Sequence, residues 1–69
     1  MYTVTPKLNK ILKERDITQT QLSQMTGIPQ GTISRFDRSR QHMMSNIVTI
    51  AKALDLAVED LFDIEEQEE

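Results

Sequence analysis

The chain has 69 residues, enough for one domain, and a domain of this length buries only about 60% of the surface its unfolded form exposes, so its core is small. It has no cysteine and one histidine, His42, which excludes a disulfide scaffold, a thiolate metal site and a histidine cluster. The net charge of −3 argues against a nucleic-acid partner only until its distribution is read: residues 1–62 hold eight bases against six acids, a net of +2, and residues 63–69 hold the other five acids.

Composition therefore divides the chain into a mildly basic folded part, residues 1–62, and an acidic segment, DIEEQEE, over 63–69. A terminal run of one charge is expected to be solvated and disordered. It serves solubility, a partner, or screening of the basic domain. The start, MYTVTPKLNK, has no apolar signal region, and no segment approaches the roughly 18 apolar residues of a membrane span, so a soluble cytoplasmic protein is expected.

A first helix is expected from Thr5, a hydroxyl cap, and Pro6, which suits the first helical position because its missing N–H would be unpaired there. Leu8, Ile11 and Leu12 follow at helical spacing, and the helix ends near Arg15 and Asp16. Thr18 and Gln21 have capping-box spacing, and Ile17 and Leu22 have the spacing of a hydrophobic staple, so a second helix starts here. Leu22 and Met25 form its buried side. Gly27 ends it, because glycine adopts the left-handed conformation of a helix terminus without steric cost.

Ile28 before Pro29 and Ile33 after it repeat the staple, and a third helix runs to about Arg38 with Ile33 and Phe36 inward. The polar stretch SRQHMMSN separates it from a fourth helix carrying Met44, Ile47, Val48, Ile50, Ala51 and Leu54. Leu56 and Leu61 bracket a short fifth helix whose Glu59 and Asp60 sit at the positive end of its dipole. No alternating run signals a strand. The expected fold is all-α, a compact five-helix domain.

Two helices of about eight residues joined by a short glycine-containing turn form a helix-turn-helix. Once Ile33 and Phe36 are buried, the third helix leaves Gln30, Gly31, Thr32, Ser34, Arg35 and Arg38 outward or sideways, with no acid before Asp37. Amides, hydroxyls and guanidinium groups are what read DNA: Gln pairs with adenine, Arg with guanine, Ser and Thr with either. Gly31 costs up to about 1 kcal/mol of helix propensity, which close approach of a partner to the backbone would compensate. Arg38 and Arg40, just after the third helix, are expected to reach phosphates beside the groove, and Gln19 with the free N–H groups opening the second helix is expected to do the same. Lys7, Lys10, Lys13 and Arg15 are expected on a solvated face of the first helix.

The run LNKILKERDITQTQLSQMTGIPQGTISRFDRSR followed by IVTIAKALDLAVEDLF resembles the Cro and repressor type of phage and bacterial DNA-binding domains, the lambda-repressor-like helix-turn-helix family. The resemblance covers about residues 6–62, and its most specific pieces are ITQTQLS, TISRF and IAKALDL with EDLF, in order and at family spacing. It implies a five-helix domain that binds operator DNA, commonly as a two-fold homodimer, with its third helix in the major groove. By position it implies base contacts from Gln30, Gly31 and Arg35, adjoining contacts from Thr32 and Ser34, and backbone contacts from Gln19, Arg38 and Arg40. Proteins of this size in the family generally act as repressors or accessory regulators.

Leu12 stands where the family often has an arginine paired to the acid at Asp37, which leaves Asp37 to Arg15, Arg38 or Arg40, and Leu12 to add apolar surface near Phe36 or toward a partner. Ser39 replaces a frequent loop glycine. Met43 and Ala57 replace capping hydroxyls, losses of about 1 kcal/mol each unless compensated. Met44 is expected in the core, Met43 on an exposed dimer surface and His42 in the loop.

A second function class is a helix-turn-helix module of antitoxin or anti-repressor type that binds another protein. The low basicity and acidic segment favour it; the basic, acid-poor third helix disfavours it. Nothing favours an enzyme: no nucleophile-base set, phosphate-cradling loop or metal-ligand cluster is present, and no metal or cofactor is implied. The acids of 63–69 also motivate autoinhibition, in which they screen the basic domain from DNA.

Overall fold

The computed structural model describes residues 1–68, and its fold is mixed rather than all-α. Four α-helices, α1 (Leu8–Glu14), α2 (Gln19–Thr26), α3 (Gln30–Ser34) and α4 (Met44–Ala53), pack with two 3-10 turns, Phe36–Arg38 and Val58–Leu61. Strands β1 (Tyr2–Pro6) and β2 (Phe62–Glu66) form an antiparallel ribbon in which Tyr2 faces Glu66, Val4 faces Ile64 and Pro6 faces Phe62. The expected fifth helix is the second 3-10 turn, and α3 ends at Ser34 and tightens into the first.

The ribbon corrects two expectations. Thr5 and Pro6 close β1 instead of opening a helix, and residues 63–66 of the acidic segment are strand instead of a disordered tail; Glu69 lies outside the described residues. Tyr-Thr-Val-Thr and Phe-Asp-Ile-Glu do alternate, and their aromatic and β-branched residues suit a pleated surface. Each run is only four residues long. Alone neither carries a sheet, and the partner that completes it is at the other end of the sequence.

Leu8, Leu22, Ile33, Phe36, Ile50 and Leu61 are fully buried, with Leu12, Ile28, Ala51 and Leu54 nearly so. Each fully buried large side chain contributes about 1.5–3 kcal/mol relative to exposure. Leu12 fills the core rather than an outer surface. Met44, expected inside, is 70% exposed, and Met25 is 53% exposed. Met44 opens α4 before the helix has reached the core, which Ile47, Ile50 and Ala51 fill at helical spacing.

Helix ends combine local and distant devices. Thr18 and Gln21 form the reciprocal capping box: the Gln21 N–H donates to Thr18 Oγ1 (3.0 Å) and the Thr18 N–H to Gln21 Oε1 (2.8 Å). Gly27 takes φ +77° and ends α2. Asp16 and Asp55 take φ +56° and +57° after α1 and α4. There the N–H of Ile17 donates to the Leu12 carbonyl and that of Leu56 to the Ala51 carbonyl, the Schellman closure, with Asp where glycine is usual.

Lys7, the N-cap of α1, has no capping side chain, and Asp37 supplies the acceptors from across the fold. The Leu8 N–H donates to Asp37 Oδ1 (2.7 Å) and the Asn9 N–H to Asp37 Oδ2 (3.0 Å). Asp37 therefore pairs with two backbone donors, not with Arg15, Arg38 or Arg40. A carboxylate at a helix N-terminus satisfies free N–H groups and meets the positive end of the dipole. Arg15 plays the opposite part at the end of α4, donating from Nη1 to the Leu54 carbonyl. Met43 caps α4 without a side-chain bond, as expected, while the Ala57 N–H donates to Asp60 Oδ2 (3.0 Å) and half of a cap is restored.

Candidate nucleic-acid interface

Residues 28–35 present α3 outward because its inner side is anchored on both ends. Ile28 and Ile33 are buried, and the turn before the helix is held by three bonds made from α2: Gly27 N–H to the Ser23 carbonyl (2.8 Å), Ser23 Oγ to the Ile28 carbonyl (2.6 Å), and Ile28 N–H to Thr26 Oγ1 (3.2 Å). With those contacts satisfied inward, Gln30, Gly31 and Arg35 are exposed and Thr32 and Ser34 are half-buried at the sides.

Gly31 and Arg35 form one unit. They lie one helical turn apart, and the Arg35 guanidinium folds back until Nη1 stands 3.2 Å from the position a Cβ on Gly31 would occupy. The missing side chain gives the guanidinium room to lie along the helix. An alanine there would push on the flexible end of Arg35, so the cost falls on Arg35's placement more than on the fold.

The carboxylate closest in sequence, Asp37, is committed to the start of α1. Its charge is held by backbone donors rather than by the arginines. Ser39 needs no glycine substitute: its φ is −87°, and its Oγ donates to the Arg35 carbonyl (3.0 Å). His42 is more than a loop residue. Its Nε2–H donates to the Phe36 carbonyl (2.7 Å) and its ring lies 4.2 Å from the Phe36 ring, fixing the loop against the core.

Of the eight residues singled out from sequence, Gln30, Gly31 and Ser34 lie on α3 outside the grooves, and the other five fall into three neighbourhoods. Thr32 and Arg35 line a groove of about 230 Å3 together with Gln41 and Asn46. Arg38 and Arg40, both exposed, line a different groove beside β1, of about 580 Å3. Gln19 opens α2 next to Lys13 and Asn9, and its Nε2 donates to Asn9 Oδ1 (2.9 Å), which ties the start of α2 to α1.

Gln41 and Asn46 were not singled out from sequence; both lie in the polar stretch read as a linker, and only the packing of α4 against α2 brings Asn46 beside α3. Lys7 also leaves its expected solvated role, pairing through Nζ with Asp63 Oδ1 (3.0 Å) on β2. An ion pair this exposed adds little stability. No helix of the described residues is long and apolar enough to cross a membrane, and no group of three or more His, Cys, Asp or Glu among them is arranged to hold a metal.

The model of one protein family, described as a Cro/C1-type HTH DNA-binding domain, matches residues 7–67, taking in all four helices and β2 and leaving β1 outside. No curated protein and no solved structure matches the chain significantly. The match spans nearly the whole sequence, and the capped second helix, left-handed glycine turn and outward third helix lie within it: the chain belongs to the Cro/C1-type helix-turn-helix DNA-binding family.

Proposed function

We propose that the protein is a sequence-specific transcriptional regulator, acting as a repressor by occupying operator DNA as a homodimer with α3 in the major groove. The observation that carries this reading is the outward face of α3: Gln30, Gly31 and Arg35 exposed, Thr32 and Ser34 beside them, and Asp37 turned away to α1. Arg35 is assigned to a guanine edge and Gln30 to an adenine edge, the pairings their donor and acceptor groups favour. Arg38 and Arg40 are assigned to phosphates, which supply salt-sensitive affinity without sequence information. Gln19 is assigned to a phosphate through the backbone at the start of α2 rather than through its amide nitrogen, which Asn9 engages.

The test is selection of bound duplexes from a random DNA pool at moderate salt. The expected outcome is a palindromic motif with half-sites about one helical turn apart. A folded protein that enriches no sequence defeats this reading and turns attention to a protein partner, for which the exposed Met43, Met44 and Val48 offer an apolar surface.

A further inference from the structure

The terminal ribbon has two free edges of opposite character. In an antiparallel ladder, hydrogen-bonded pairs alternate with non-bonded ones. The Gln67 N–H donates to the Met1 carbonyl (2.6 Å) and the Lys7 N–H to the Leu61 carbonyl (2.9 Å), so the backbones of Met1, Thr3, Thr5 and Lys7 turn toward β2. Those of Tyr2, Val4 and Pro6 turn to the opposite side, where Tyr2 and Val4 present a free N–H and carbonyl and Pro6 a carbonyl only.

That edge belongs to a strand without a single charge, whereas β2 carries Asp63, Glu65 and Glu66. The face of the ribbon carrying Val4 exposes three apolar side chains, Tyr2 (63%), Val4 (55%) and Ile64 (48%), beside one acid, Glu66 opposite Tyr2. Charges and proline both blunt an edge: β2 has three acids along it, whereas β1 has no charge and one proline, Pro6, at its end, which leaves Tyr2 and Val4 open to pairing.

We propose that the β1 edge is the self-association surface of this chain, two copies pairing antiparallel about Val4 into a four-stranded sheet of order β2-β1-β1-β2. Each Val4 then meets its counterpart, and Tyr2 lies opposite the partner's Pro6. Three observations select a second copy as the occupant. Pairing β2 with β2 about Ile64 would set Asp63 of each copy against Glu65 of the other, and like charges across strands are destabilising. Pairing β1 with β2 is head-to-tail and open-ended, whereas β1 with β1 closes on a two-fold axis. The closed sheet has the acidic β2 strands at both outer edges, which stops further growth.

The groove beside β1 fits this register. Val4, Pro6, Phe62 and His42 line it with Arg38 and Arg40, and side chains opposite one another in an antiparallel pair share a face. Tyr2 of one copy therefore enters the groove at the other copy's Pro6, an aromatic body with a polar tip entering a site that is apolar at Val4, Pro6 and Phe62 and charged at Asp37, Arg38 and Arg40. An edge of five residues is smaller than the roughly 800 Å2 per partner of a stable interface, so the dimer forms in a concentration-dependent way.

This surface lies outside the family-matched residues, and it rests on the proposed regulator only for its use, the two-fold reading of a palindrome. The test is sedimentation over a concentration series without DNA. Wild type is expected to shift from monomer to dimer mass as protein reaches millimolar levels. Val4→Pro removes an outward N–H and leaves the β1-β2 ladder intact, and Val4→Lys places like charges at the two-fold axis; each is expected to weaken association at least tenfold. Met44→Gln is expected to leave it unchanged.

Because the chain has no cysteine, Val4→Cys tests the register directly: a symmetric pair about 5.5 Å apart at Cα is within disulfide reach, so oxidation should link Val4→Cys and leave Ile64→Cys unlinked. A wild type that stays monomeric throughout, or dimers equally strong in Val4→Pro and Val4→Lys, overturns the proposal. Neither result touches DNA selection, and a failed DNA selection leaves the sedimentation result standing.

Discussion

Residues 18–38 and the ribbon of β1 and β2 differ in how far apart along the chain their organising contacts lie. In the first, Thr18 bonds to Gln21, Ser23 to Ile28 and Arg35 to Ser39, all within five residues. In the second, Tyr2 meets Glu66 and Lys7 meets Asp63, so nothing forms until the chain has closed on itself. Closing a long loop costs entropy that local turns avoid. The helix-turn-helix thus forms from adjacent cues, and the ribbon is a consequence of the completed core. The first is expected to be the stable, DNA-facing part and the second a marginal part with an edge to spare, since a lone two-stranded ribbon has little stability of its own.

The largest expected effect lies where the two regions meet. Phe36 follows α3, packs against the tilted ring of His42 and lies 6.0 Å from the Phe62 ring at the start of β2. Phe36→Ala should cost about 3–5 kcal/mol, measured by urea denaturation, which is most of the stability of a domain this small. If the loss were below 1 kcal/mol, the core would not depend on this junction.

Next in size is the effect on DNA. Arg35→Ala should lose about 1–3 kcal/mol of discrimination at one base pair per half-site, whereas Arg38→Ala should weaken all sequences alike and flatten the salt dependence. Competition binding against single-base operator variants separates the two. Equal loss on every sequence for Arg35→Ala would make it a phosphate ligand.

Asp37→Ala removes both acceptors at the start of α1 and should destabilise by about 0.5–2 kcal/mol with the DNA site intact. Hydrogen exchange at Leu8 and Asn9 should accelerate more than at Leu22, and uniform acceleration would mean the cap is not local to α1. In the ribbon, Ile64→Ser breaks the exposed pair with Val4 and should cost only about 0.2–1 kcal/mol. The smallest effect is expected for Met44→Gln, within about 0.5 kcal/mol, because the side chain is 70% exposed. A larger loss there would place Met44 against something the isolated chain does not contain.

The ribbon also changes how the acidic segment is to be tested. Deleting residues 63–69 would remove most of β2 along with the charge, so screening of the DNA site is better read from Glu65→Gln and Glu66→Gln, both exposed on the strand. Increased nonspecific DNA binding at low salt would support autoinhibition, and unchanged binding would leave the acids only the edge-guarding role proposed for them.

The sequence by itself determined the elements whose signals are local: the capping box at Thr18, the left-handed turn at Gly27, the inward Ile33 and Phe36, and hence the outward Gln30, Gly31 and Arg35. It also determined the family, because those cues recur at one spacing. Tertiary structure alone decided that Asp37 caps a helix 28 residues away, that Gln41 and Asn46 join Thr32 and Arg35, that Met44 stays outside, and that the two ends of the chain make a ribbon. The physical reason is range. A cap or turn is satisfied by atoms a few bonds along the chain and leaves its mark in adjacent residues, whereas a strand edge or a borrowed cap exists only once distant segments have been brought together by burial of the core.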